Sequence, residues 1–94
     1  MGRGRRTLPQ RLAEKLLAIR KALDLSQSQM LRKLETEGVT LHAPHISGFE
    51  AGTREPPLPT LLRYARVAGV NVDDLIDDKI NLPKRLPVRR KRVR

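Results

Sequence analysis

Apolar residues recur along this chain at helical spacing, in short windows separated by turn signals. Leu12, Leu16, Ile19 and Leu23 follow one another at steps of four, three and four. That lines them on one side of a helix, and Ala13 and Leu17 widen the stripe. Thr7-Leu8-Pro9-Gln10 precedes it. Thr at the N-cap, Gln three residues on and Pro in the first turn predict a helix over 8–23. Leu25-Ser26-Gln27-Ser28-Gln29-Met30 is a second start. Ser26 and Gln29 form a capping box there, and Leu25 and Met30 a hydrophobic staple. Met30, Leu31 and Leu34 then face inward, Gly38 is the stop, and the helix is expected over 27–36.

Val39-Thr40-Leu41 reads as an extended link. A third helix starts near Ala43-Pro44, turns Ile46 and Phe49 inward and ends at Gly52. After the loop Arg54-Glu55-Pro56-Pro57, a fourth spans 58–67, burying Leu58, Leu61, Leu62 and Ala65, with Tyr64 a further candidate, and stops at Gly69. Asn71 caps a fifth, with Asp73 and Asp74 at the positive end of its dipole and Val70 stapled to Leu75. No alternating pattern exceeds three residues. The expected class is an all-α domain of five short helices.

From residue 81 the pattern fades. Pro83 and Pro87 interrupt the segment, and Ile80, Leu82, Leu86 and Val88 alternate only loosely. This predicts a tail that is extended or disordered when free, as the basic N-terminal arm is also expected to be flexible, and part of the tail would dock on a partner or a second copy. Charge sharpens the division. The chain has 94 residues, 20 Lys and Arg against 10 Asp and Glu, and a net charge of +10. Residues 1–6 contribute three cations and residues 81–94 seven, with no acid in either, so the stretch between is neutral. The expected organisation is a basic arm over 1–6, a domain over 7–80 and a basic tail over 81–94. Such arms suit a polyanion.

Composition removes several classes of function. With no cysteine there is no disulfide framework, iron–sulfur cluster or thiolate zinc site. His42 and His45 lack the further ligands a metal site needs, and no acid is placed to orient either for hydrolysis. Asp73, Asp74, Asp77 and Asp78 lack the glycine turn and alternating oxygens of a calcium loop. No apolar run approaches the roughly 18 residues of a membrane span, and the start lacks the apolar stretch of a signal peptide. The expectation is a cytoplasmic protein without cofactor or metal, and not an enzyme.

Ser26-Gln27, then Ile46-Ser47-Gly48-Phe49-Glu50-Ala51-Gly52, then Leu61-Leu62-Arg63-Tyr64-Ala65 and Gly69-Val70-Asn71-Val72-Asp73-Asp74-Leu75 occur in order. Over residues 8 to 77 this resembles the Cro/cI-type (xenobiotic response element, XRE) helix-turn-helix family of bacterial and phage regulators. The resemblance implies a lambda-repressor-like domain that binds double-stranded DNA sequence-specifically, with its third helix in the major groove, and regulates transcription, chiefly by repression. It implies that Gln27 contacts a phosphate. His42, Ala43, Pro44, His45, Ser47 and Gly48 fall on the exposed side of the third helix, flanked by Thr40 and Arg54. Glu50 would pair with Arg20 as a structural ion pair.

The cationic arms extend the expected interface: Arg3, Arg5 and Arg6 at one end, Arg89, Arg90 and Arg92 at the other. The family commonly binds inverted repeats as homodimers, and Leu75, Ile76, Ile80 and Leu82 are candidate self-contacts. Alternatives are an antitoxin that also binds a toxin, and a non-specific architectural DNA- or RNA-binding protein driven by the tails. The chain departs from the family in a longer link between Leu34 and Ile46. Its reading face is also poor in Gln, Asn, Arg and Lys, the usual readers of base edges.

Overall fold

The computed structural model describes residues 9–35 and 40–87. Five helices follow in order: α1 Leu12–Ala22, α2 Gln27–Leu34, α3 Ala43–Ala51, α4 Leu58–Ala68 and α5 Val72–Ile76. The described residues contain no strand, so the all-α, five-helix expectation holds.

The α1 boundary differs from the expected one. Pro9 and Gln10 precede the helix, which begins at Leu12 with Arg11 in the N-cap position and no side-chain cap from Arg11. Thr7 and Leu8 lie outside the described residues. The free N–H groups of Gln10 and Arg11 donate instead to Asp78 Oδ2 and Oδ1, both at 2.9 Å. The start of α1 is thus set by a carboxylate from the far end of the domain, which no local pattern displays. At its other end Asp24 adopts a left-handed φ of 59°. This lets Asp24 N–H and Leu25 N–H bond back to the carbonyls of Lys21 and Arg20, closing the helix as a glycine would.

α2 opens on the expected capping box. Gln29 N–H donates to Ser26 Oγ at 3.1 Å, and Ser26 N–H to Gln29 Oε1 at 2.8 Å. The helix stops at Leu34, earlier than expected, where Glu35 turns extended with ψ 134°. The carbonyl of Lys33 is capped by Arg63 Nε of α4 at 2.9 Å. Gly38 lies outside the described residues. α3 carries Pro44 in its first turn, and α3 and α4 end at Gly52 and Gly69, each with φ 80°. That conformation costs a glycine little and any L side chain more.

The core joins Leu12, Leu16 and Ile19 of α1 to Met30 and Leu34, Ile46 and Phe49, Leu61, Tyr64 and Ala65, and Leu75. α1 packs on both α3 and α5, α2 on α3 and α4, and α4 on α5. α1 thus touches both α3 and α5. Two residues expected in the core are outside it: Leu58 is 77% exposed and Leu62 42%. The buried row of α4 runs through Leu61, Tyr64, Ala65 and Ala68. Leu58 and Leu62, four apart, form the neighbouring row.

The described part of the tail, 81–87, has no helix, as expected, but it docks on its own domain. Leu82 and Leu86 pack against the core. A cleft of about 400 Å³ separates this segment from Ala18 and Ala22 of α1. Leu75 is fully buried, so it is closed to a second copy, whereas Ile76 is 41% exposed.

Candidate nucleic-acid interface

α1 and the α2–α3 pair are joined by one polar network. Arg20 donates to Glu50 through Nε–Oε2 at 2.7 Å and Nη2–Oε1 at 3.1 Å, and its Nη1 donates to the Leu25 carbonyl at 2.9 Å. The side chains are 17% and 6% exposed. The expected ion pair is therefore present in a two-pronged geometry that only a guanidinium offers. The hydrogen bond to Glu50 raises the Arg20 pKa further above its ordinary value, against the opposing effect of burial.

Gln27, the first residue of α2, donates from Nε2 to Glu50 Oε1 at 3.1 Å. Its side chain thus ties α2 to α3, while its position at the helix start is the one expected of a phosphate contact. Glu50 accepts from both earlier helices at once. This fixes the angle at which α3 leaves the bundle.

On α3, Ile46 and Phe49 are buried, and His42, Ala43, Pro44 and Ser47 are exposed. His45 is half-buried and acts locally. Its Nδ1 accepts the His42 N–H at 2.9 Å, and its ring stacks on Phe49 with centroids 6.4 Å apart. A neutral ring accepting at Nδ1 carries its proton on Nε2. Gly48 is placed by packing. A Cβ there would lie 2.9 Å from Arg54 Cβ, and its carbonyl accepts from the N–H groups of Thr53 and Arg54. The glycine lets the 53–54 loop close on α3. Thr40 and Arg54 are exposed at either end of α3. Arg3, Arg5, Arg6, Arg89, Arg90 and Arg92 lie outside the described residues.

Two features had no sequence expectation. Lys15 is 2% exposed. Its Nζ donates to the carbonyls of Asp74, Asp77 and Ile80 at 2.7, 2.9 and 2.7 Å, capping the C-terminal end of α5. The available signal was its position, since Lys15 stands on the stripe of Leu12, Leu16 and Ile19. On α4, the hydroxyls of Thr60 and Tyr64 are buried without a hydrogen-bond partner among the described residues. Burial, with Glu50 adding to it, pushes the Tyr64 phenol well above its ordinary pKa. Among the described residues, no three His, Cys, Asp or Glu gather as a metal site. None of the described helices is long and apolar enough to cross a membrane.

The site thus offers a helix edge of Ala43, Pro44 and Ser47, with His45 Nε2 beside it. Small and apolar groups suit thymine methyls, and the hydroxyl and imidazole suit base or phosphate oxygens. A helix-turn-helix family profile matches residues 16–75. The antitoxin HigA1 of Mycobacterium tuberculosis, from strains CDC 1551 / Oshkosh and ATCC 25618 / H37Rv, is 43% identical over 56 residues. The match covers 60% of this chain and 34% of each relative, so the chain spans about a third of the length of the curated relatives it matches. No solved structure matches significantly. With the seated α2–α3 pair and a family match over more than half its length, the chain belongs to the helix-turn-helix family of XRE type, whose members are DNA-binding transcriptional regulators and typically not enzymes.

Proposed function

We propose that this protein binds double-stranded DNA sequence-specifically as a homodimer in the cytoplasm, with α3 in the major groove, and represses transcription from the promoter it occupies. It has no catalytic role in this reading. The observation that carries it is the Arg20–Glu50–Gln27 network, which seats α3 rigidly while leaving its outward edge uncovered. A reading helix must be held this way, because base contacts depend on its register against the groove. Arg54 and the arginines of the two arms add salt-dependent phosphate affinity.

A second reading has specific support. The HigA1 relatives are antitoxins by name. In that reading the chain also holds a toxin and represses its own operon. Co-purification with the product of the adjacent gene tests it.

Selection from fragments of the source genome at near-physiological salt tests the DNA reading. Recovery of a shared inverted repeat, with half-sites about one helical turn apart, is the expected result. Recovery of fragments without a common site would point to a non-specific, tail-driven binder.

A further inference from the structure

The exposed edge of α3 is short of donors. Ala43 and Pro44 offer none from their side chains, and Ser47 offers a single hydroxyl. Such an edge suits thymine methyls, but it cannot grip a base through two parallel hydrogen bonds. A fork of donors comes to it from the next loop.

Gly52, with φ 80°, ends α3 and turns the chain back. The N–H groups of Thr53 and Arg54 then donate to the Gly48 carbonyl at 3.0 and 3.2 Å. Thr53 Oγ1 donates to the same oxygen at 3.4 Å. The loop is thus fastened to the middle of the helix. Gly48 follows Pro44 by four residues, so the two share one row of the helix surface, and Pro44 is exposed. A Cβ on Gly48 would lie 2.9 Å from Arg54 Cβ and 3.6 Å from Arg54 Cδ. Arg54 therefore lays its aliphatic stem along the place that a side chain at 48 would fill. Nε is bonded to Cδ, so the guanidinium starts from that row. Arg54 is exposed, and no hydrogen bond or ion pair engages its guanidinium among the described residues.

We infer that Arg54 is a specificity-determining residue that reads a guanine in the major groove, and that Gly48 is the positioning residue that gives its stem room on α3. This rests on the DNA-binding reading and goes beyond the salt-dependent phosphate affinity that Arg54 adds in it. The chemistry selects guanine. A guanidinium only donates, and guanine presents two acceptors side by side, N7 and O6. Adenine sets a donor beside its N7, thymine offers one acceptor, and cytosine offers a donor. A phosphate contact asks only for charge, whereas a stem laid on the reading row sets direction as well.

The test measures binding of the full chain and of Arg54→Ala, Arg54→Lys and Gly48→Ala. The probes are duplexes carrying the selected repeat, with each base pair changed in turn, and a scrambled duplex, over a salt series. The wild type is expected to prefer G·C at one position of each half-site. Arg54→Ala should lose about five- to 150-fold on the repeat. It should become indifferent at that position, while its preferences elsewhere hold. Arg54→Lys keeps the charge and the salt slope but loses the planar fork, so the preference at that position narrows. Gly48→Ala pushes the Arg54 stem off α3 and should weaken the same preference and no other. Added to Arg54→Ala, it should change that preference no further. Melting temperatures of all variants separate folding from reading. Should Gly48→Ala not fold, the two Arg54 variants decide.

A fall for Arg54→Ala that is equal on every duplex, with a salt slope shallower by about 0.9, would mean a phosphate contact and overturn the inference. So would wild-type preference at every position in Arg54→Ala, or a folded Gly48→Ala that keeps the full preference. In each of those cases the repeat is still preferred, and the DNA reading stands. A wild-type chain with no preference for the repeat overturns both.

Discussion

α1 buries two cations, and they are satisfied in opposite ways. Arg20 faces α3 and meets a carboxylate, Glu50, through two hydrogen bonds. Lys15, five residues earlier, faces α5, and its Nζ hydrogen-bonds to no carboxylate among the described residues. Its three N–H donors go to three backbone carbonyls. The first arrangement is an ion pair whose planar fork fixes direction. The second is a point charge placed at the negative end of a helix, where the dipole favours it. The difference separates two tasks. Arg20 orients the helix that reads. Lys15 fastens α5 and the start of the tail to the bundle.

Breaking the orienting pair has the largest expected effect. Glu50→Ala leaves the Arg20 guanidinium buried without its carboxylate and frees Gln27. It should cost about 3–5 kcal/mol in chemical denaturation. DNA affinity should fall further than the unfolded fraction accounts for. Lys15→Met, of similar length, leaves three carbonyls to find water. It should cost about 2–3 kcal/mol and speed amide exchange in α5 before α3. The folded protein should keep its DNA affinity. Equal exchange effects at the two ends would erase the distinction between the cations.

Acid adds a titration to the Lys15 side. Backbone N–H groups of Gln10 and Arg11 hold the Asp78 carboxyl below the ordinary aspartate value of 3.8. A depressed folded pKa means that Asp78 stabilises the domain above that value. The contribution is lost as pH falls through the folded pKa beneath it. Asp78→Asn should flatten this part of the melting-temperature profile and leave the neutral part offset but parallel. The smallest effect is expected at Tyr64. Its hydroxyl is buried near the Arg20–Glu50 pair without a partner among the described residues. Tyr64→Phe should therefore change stability by less than about 1 kcal/mol. A larger loss would mean that the phenol is part of the orienting network.

The same contrast explains what the sequence made legible. Helices α2 to α5 carry their start signals within a few residues: Ser26 and Gln29, Pro44, the loop prolines, Asn71 and Asp74. The Arg20–Glu50 pair was legible through the family motif around Ile46–Gly52, because a carboxylate and an arginine at family positions are visible as letters. Backbone acceptors are not. Every residue has a carbonyl, so nothing in the string marks those of Asp74, Asp77 and Ile80 as the ligands of Lys15. The start of α1 moved for a related reason. Its capping carboxylate is Asp78, 67 residues from Arg11, and a local capping box at Thr7 was the nearest signal. Leu58 and Leu62 fit an apolar pattern, but periodicity does not say which of two adjacent rows meets the core. Gly48 looked like part of the reading face, and its close approach to Arg54 shows only in three dimensions.

The most direct test of the central claim sets folding and reading against each other at one exposed position. Ala43 opens α3. An acid there favours the helix dipole and opposes DNA phosphate. Ala43→Glu should keep or raise the melting temperature while binding to the selected duplex falls about tenfold or more. Binding retained within about twofold, with the fold intact, would contradict a major-groove role for α3.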